Sequence, residues 1–297
     1  MRKYLLTVLL ITGFMFIATN AVNAQISTGN WAVRVWSDFD RNQGQLTFYS
    51  YNEDFCYYYL LISFIDADGF EGISPTMQMT AIVGPGKRII RTYKAKTGAT
   101  RHVYRYHSYM YRGNTEKPNA DFIYALPVAT GNMATARIVG GDMRGRRLVF
   151  DLPSDTVYAC RSGVMCDDNL KSSSGNGPAG ELSSITLYHA DGSFTKYIYK
   201  GKSLVFPGQK IKMGSPIAVV ERDLGKYSVS FSAYFLDKEK LRPDYYFPEK
   251  YTNFLPFFQT SNEGKTHLIS DGVYTCDLTD EMRMQDTWKG KKKKHRK

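Results

Sequence analysis

Ser184-Ile185-Thr186-Leu187-Tyr188-His189-Ala190-Asp191-Gly192-Ser193-Phe194-Thr195-Lys196-Tyr197-Ile198-Tyr199 decides the fold class. Ser184 to Tyr188 and Phe194 to Tyr199 are rich in β-branched and aromatic residues. Between them, His189-Ala190-Asp191-Gly192 supplies turn chemistry, so the stretch reads as a β-hairpin. The same grammar recurs in both directions. Leu46 to Tyr51 is a strand closed by Asn52-Glu53-Asp54, and Tyr57 to Ile65 is apolar on both faces, as a central strand is. Ile82-Val83-Gly84-Pro85-Gly86 is a turn between strands. Val103 to Tyr111 is an aromatic strand whose alternation slips near Ser108, as a bulge would cause. Downstream, Ser203 to Phe206, Ile211, Pro216 to Val220 and Tyr227 to Phe235 continue the pattern. Tyr and Phe are abundant, at 22 and 17 residues, and helix-favouring runs are scarce. The chain is therefore expected to be all-β, with sheets packed on sheets.

The ends carry different information. Arg2 and Lys3 precede an uncharged apolar run from Leu5 to Ala18, and Val22-Asn23-Ala24 offers the small-x-small pattern of a signal-peptidase site. That run is short for a membrane span, which needs ~20 residues. No cysteine follows the cleavage site, which argues against a lipid anchor. The expectation is a secreted chain beginning at Gln25, in the periplasm or extracellular envelope of a bacterium. The net charge of +11 is concentrated in the signal segment and in Lys289 to Lys297, and roughly +2 remains on the body. A basic tail of this kind attracts anionic lipid headgroups or acidic wall polymers, or serves only as a solubilising extension. No nucleic-acid recognition motif accompanies it.

Cys56, Cys160, Cys166 and Cys276 remain after export. In an oxidising compartment four cysteines allow three disulfide connectivities. Cys160 and Cys166 flank the turn Arg161-Ser162-Gly163 and are expected to face each other across a hairpin, leaving Cys56 to pair with Cys276. Four buried free thiols are the alternative. No C-x-x-C spacing points to a zinc site. His102 and His107, five apart on one strand, face opposite ways and cannot share a metal.

Residues Leu148 to Phe235 resemble the M23 (LytM or lysostaphin-type) zinc metallopeptidases. Phe150-Asp151-Leu152-Pro153-Ser154-Asp155-Thr156-Val157-Tyr158-Ala159 looks like the family's opening run, and Gly163-Val164 fits the GVV after it. Ile185 to Tyr199 matches the hairpin that ends in YAHL. Pro207-Gly208-Gln209-Lys210-Ile211-Lys212-Met213-Gly214-Ser215-Pro216-Ile217-Ala218 is similar to the G-Q-x-V-x-x-G-x-x-I-G segment. Asn52 to Cys56 and Tyr124-Ala125-Leu126-Pro127 resemble the β-sandwich that precedes the peptidase in some secreted members. Leu255-Pro256-Phe257-Phe258 and Gly272-Val273-Tyr274 resemble the strands after it.

The resemblance implies a zinc held by His, Asp and the second His of an H-x-H motif, with the fourth position left to the attacking water. Only Asp151 matches a ligand position. Arg147 stands at the first-ligand spacing, Tyr199 in place of the YAHL histidine, and Ser228-Val229-Ser230 in place of H-x-H. The loop before that motif shortens to Glu221-Arg222-Asp223-Leu224-Gly225-Lys226. Arg147, four residues upstream, is expected to pair with Asp151 and offset its charge. His189 matches a turn residue of the family.

The sequence thus implies a signal peptide (1–24), a β-sandwich (25–135), a degenerate M23-like β domain (136–237), C-terminal strands completing the first sheet (238–281) and a basic disordered tail (282–297). The implied function is non-catalytic and needs no cofactor. It is binding of peptidoglycan stem peptides, or of a cell-wall hydrolase, in a groove lined by Arg147, Asp151, His189, Tyr199, Ser228 and Ser230. The alternatives are an active M23-type peptidoglycan metalloendopeptidase with unconventional zinc ligands, drawing on Asp151, His189 and Asp191, or a structural envelope component attached by its tail.

Overall fold

The computed structural model describes residues 25–27, 32–140, 147–168, 182–241, 250–268 and 271–285. Residues 1–24, read as a signal segment, most of the Ser/Gly/Asn-rich stretch after Asp168, and Lys289 to Lys297 lie outside them. The described chain is all-β, built from mainly antiparallel sheets around two cores. Among these residues no helix is long and apolar enough to cross a membrane.

The first core lies between two sheets. One runs Gln25–Ser27, Val103–Arg112, Tyr58–Asp68, Gln78–Val83 and the other Val33–Asp40, Gln45–Asn52, Gly86–Lys94. The tight turn between the first two strands of the second sheet is set locally. The Asp40 side chain accepts hydrogen bonds from the Asn42 and Gln43 amides, and Gly44 takes φ +60°. Leu46 and Phe48 from one sheet meet Leu60, Ile62, Phe64, Tyr104 and Tyr106 from the other. The turn at Gly84-Pro85 carries the chain between the sheets. The register slip lies in the partner strand, between Phe64 and Asp66, and Ser108 pairs regularly with Ile62. His102 lies tilted against the rings of Phe39 and Phe70.

The second core underlies a nine-stranded sheet. Its order is Lys210–Ile211, Gly163–Met165, Ser183–Tyr188, Phe194–Tyr199, Tyr227–Leu236, Arg147–Leu152, Met133–Val139, Gly272–Thr275, with Tyr251–Phe254 added to the far half of Tyr227–Leu236. Period-2 alternation gives the sheet two chemically different faces. Leu148, Phe150, Leu152, Val229, Phe231, Ile185, Leu187, Tyr197 and Tyr199 point inward, onto a small sheet formed by Thr156–Tyr158, Pro216–Val220 and Gly201–Ser203. On the opposite face, Tyr188 and Phe194 belong to the first core and dock the sandwich. The contact is close: Gly113 has φ +112°, and a Cβ there would fall 2.9 Å from the Phe194 ring.

The C-terminal strands correct one expectation. They complete the second sheet and not the first: Phe254 pairs with Ala233, and Gly272 with Ala136. Phe257–Thr260 pairs in parallel with Ile123–Tyr124 and antiparallel with Gly264–His267. The reason is burial, since Phe258, Leu268, Tyr274 and Cys276 all enter the second core. The chain then turns into a short helix, Asp280–Gln285, whose Met282 is buried against the same core. The first residues assigned to a disordered tail are therefore ordered.

Candidate functional site

The outward face of the large sheet, at the end away from the sandwich, gathers the polar residues. Asp151 faces Ser228 across the pair Arg147–Leu152 and Tyr227–Leu236, and Ser230 lies two residues on, opposite Val149 and Ile198. Residues 226, 228 and 230 share this face by the strand period. The loop before them is a two-residue turn. Asp223 and Lys226 exchange backbone hydrogen bonds, and Leu224 and Gly225 both adopt left-handed φ, +48° and +80°. This turn delivers Lys226 to Asp151.

The carboxylate of Asp151 has three partners. Lys226 Nζ lies 3.0 Å from Oδ2, the Ser228 hydroxyl donates to Oδ1 at 2.8 Å, and the Arg137 guanidinium lies 3.4 Å from Oδ1. Partial burial alone would raise the pKa of this carboxyl. The Lys226 and Ser228 hydrogen bonds and the Arg137 charge outweigh burial and hold it below its ordinary value.

Arg147 is not among these partners. It is exposed and begins the Asp151 strand. Four residues along a strand span ~13 Å, beyond the reach of a direct pair. The expected Arg147–Asp151 bridge rested on nearness in sequence, whereas neighbouring strands bring other cations closer. Lys226 and Arg137 supply the charge in its place. The signal for Lys226 was present in the sequence: once Ser228 is set opposite Asp151, position 226 falls on the same face. Arg137 required knowing that Met133–Val139 lies alongside. Arg147→Ala is accordingly expected to change stability by less than about 0.5 kcal/mol, whereas Lys226→Met should raise the Asp151 pKa. Carboxyl-carbon NMR titration of both variants checks this, and an Asp151 shift in Arg147→Ala alone would contradict it.

Tyr199 also departs from expectation. It pairs with Val229 on the inward face and is buried in the second core, so it does not share the outward face with Asp151, Ser228 and Ser230. Ile198, its neighbour, faces outward beside Ser230.

His189 and Asp191 stand at the opposite end of the sheet. The turn that carries them follows the pair Tyr188–Phe194, and Phe194 pairs with Tyr234, six residues along from Ser228. That places them ~20 Å from Asp151, so the three side chains form no common site. His189 is fully buried, with Nδ1 2.8 Å from the Ser162 carbonyl and Nε2 3.1 Å from the Thr195 hydroxyl. A carbonyl only accepts, so Nδ1 carries the proton and Nε2 accepts from Thr195. Burial, reinforced by the Arg161 charge, pushes its pKa down to about 3. Asp191 accepts from Arg161 at 3.0 Å and from Ser193 at 2.7 Å. Burial opposes ionisation there, but Arg161 prevails and lowers the pKa to about 2. A locked neutral imidazole and a carboxylate committed to arginine make a structural network.

A third polar cluster joins the two cores. Arg112, almost fully buried, pairs with Asp54 at 2.6 Å and Asp168 at 2.7 Å. It also donates to the Tyr58 hydroxyl and the Asp167 carbonyl. Asp168 accepts in addition from Ser184 and Thr186. Burial disfavours the Asp168 anion, yet Arg112 and the Thr186 hydrogen bond keep its pKa below the usual range.

The outward face around Asp151 does not fit zinc. Its donors are one carboxylate and two neutral hydroxyls, and an ammonium already sits on the carboxylate, whereas zinc is held by imidazole, thiolate and carboxylate. No protein-family model matches the chain, and no curated protein matches it. Among solved structures, Helicobacter pylori Csd3 aligns over 84% of this chain and 79% of its own, at 8% identity and a TM-score of 0.26, a level at which a common fold is not established.

Proposed function

We propose that this protein is a non-catalytic, groove-bearing component of a bacterial envelope, built on the plan of the M23 peptidases and binding peptide without cutting it. The observation that carries the reading is Asp151. At the position where the resemblance expects a metal-bound carboxylate, Lys226 and Ser228 hold the side chain. A cation fixed on the protein has taken the place of one that would polarise a substrate carbonyl. Asp151 is then neither a ligand nor a free base.

The groove nevertheless keeps recognition chemistry. Lys226 and Arg137 offer exposed positive charge, Ser228 and Ser230 offer hydroxyls, and Val149 and Ile198 provide an apolar floor. Such a strip suits an extended peptide bearing carboxylates, as a peptidoglycan stem peptide does, or an acidic loop of a wall hydrolase.

The test is co-sedimentation of the purified chain with peptidoglycan sacculi, combined with zinc analysis and product release. Binding without soluble fragments is expected, even with zinc added, and Ser230→Trp should weaken binding at least tenfold by filling the groove. Tightly bound zinc lost in Asp151→Ala, or muropeptides released from the sacculi, would overturn the reading.

A further inference from the structure

The four cysteines are unbridged in the structure and fully or almost fully buried. Their placement contradicts the pairs expected from sequence. Cys160 and Cys276 belong to the second core, while Cys56 and Cys166 belong to the first. Both expected pairs, Cys160–Cys166 and Cys56–Cys276, would have to join different cores. The short turn Arg161-Ser162-Gly163 misleads because the chain crosses from one face of the sheet to the other between Cys160 and Cys166.

Cys56 ends the Asn52–Cys56 turn, where the Asn52 side chain donates to its carbonyl at 2.8 Å. Cys166 follows the strand Gly163–Met165, and its amide donates to the Thr186 carbonyl. The two sulfurs and an Asp54 carboxylate oxygen all lie within 4.8 Å of one another. Such a cluster invites a metal, but Asp54 is already engaged. Its oxygens accept from Arg112 at 2.6 Å, from the Tyr58 hydroxyl at 2.9 Å, and from the Phe55 and Asp167 amides. A divalent ion between the sulfurs would also face the buried Arg112 guanidinium. What remains is two adjacent sulfurs.

The other two cysteines share the second core, and both contact the Ala125-Leu126 segment. The Cys160 carbonyl accepts from the Ala125 amide at 2.9 Å, and Cys276 Sγ lies 4.0 Å from the Leu126 carbonyl. Just beyond, Leu278 rests against Gly214, whose amide donates to the carbonyl of Ala159, the neighbour of Cys160.

We propose that the chain carries two disulfides, Cys56–Cys166 and Cys160–Cys276, each joining segments from different parts of the molecule. Each forms by thiol–disulfide exchange with an oxidised partner of the disulfide class, such as glutathione disulfide or a protein dithiol oxidase. The two cysteine sulfurs lose two protons and two electrons and join, and the partner disulfide is reduced to two thiols. Burial raises the pKa of Cys56 and Cys160, so thiolates are scarce in the finished fold. Oxidation therefore precedes final packing. Once made, the first bridge pins the start of the Asp168 segment to the sandwich, and the second pins the C-terminal strands to the sheet.

The full chain, refolded in a glutathione redox buffer, is digested without reduction and its linked peptides are identified by mass spectrometry. All four thiols are expected to disappear, with links Cys56–Cys166 and Cys160–Cys276. In Cys56→Ser, Cys166 alone should become alkylatable after denaturation, with the second link intact. Recovery of Cys160–Cys166 or Cys56–Cys276 links in folded protein would overturn the proposal. So would four free thiols, or a stoichiometric metal held by Cys56 and Cys166.

Discussion

Replacing Arg112 with methionine is expected to destabilise the chain by about 3–5 kcal/mol, the usual cost of stranding buried charge. Asp54 is fully buried and Asp168 largely so, and this guanidinium is the ion-pair partner of both. Methionine keeps most of the volume but removes the ion-pair partner of both carboxylates, leaving Asp168 only the additional charge of Lys196. Urea unfolding followed by intrinsic fluorescence measures the loss. Adding Asp54→Asn and Asp168→Asn to the same chain should recover part of it, because amides need no counter-charge. A loss below about 1 kcal/mol in the single variant would mean that the cluster is not a charge-balanced joint.

The second large effect is on pH dependence. His189 binds a proton near pH 6.5 when unfolded, but only at about 3 when folded. Between those values the unfolded state holds more protons, so stability rises with pH. The contribution is complete above pH 6.5 and is lost as pH falls toward 3. At ~1.4 kcal/mol per pH unit, moving from pH 7 to pH 4 gives a decline of about 3 kcal/mol from this residue. Asp191, held down to about 2, adds its own loss only below its unfolded value near 4. Urea midpoints across pH 4–7 should therefore slope upward in the parent and flatten in His189→Gln. Equal slopes in the two proteins would remove His189 as the cause.

Local pattern was legible in the sequence and long-range partnership was not. The hairpin read from Ser184 to Tyr199 forms with Ser183 opposite Tyr199 and Tyr188 opposite Phe194. Alternation and turn chemistry specify a hairpin without outside help. Tyr57 to Ile65 is central because it is apolar on both sides, and Tyr58–Asp68 lies between two strands. Asp151 opposite Ser228 follows from laying two strands side by side. By contrast, Arg112, Asp54 and Asp168 come from three separate turns and strand ends, and no spacing links them. The same blindness affected the cysteines and the C-terminal strands, where the choice between two cores rests on packing. Arg147 differs for the same reason: it is near Asp151 in sequence, but Lys226 and Arg137 reach the carboxylate from neighbouring strands.

The pairing of Gly272–Thr275 with Met133–Val139 has a consequence for biogenesis. Gly272 lies more than a hundred residues further along the chain than its partner Ala136, so the Met133–Val139 strand must wait, through synthesis, for nearly everything after it. Contacts of such sequence separation form slowly, because a long loop must close before they return any free energy. Until then Met133–Val139 is an open edge of a largely formed sheet, and open edges recruit strands from other chains. A chaperone that covers this edge, or a low concentration of unfinished chains, would matter more to the yield of this protein than its final stability. Truncations that spare the groove but remove residues after 270 would be lost to aggregation.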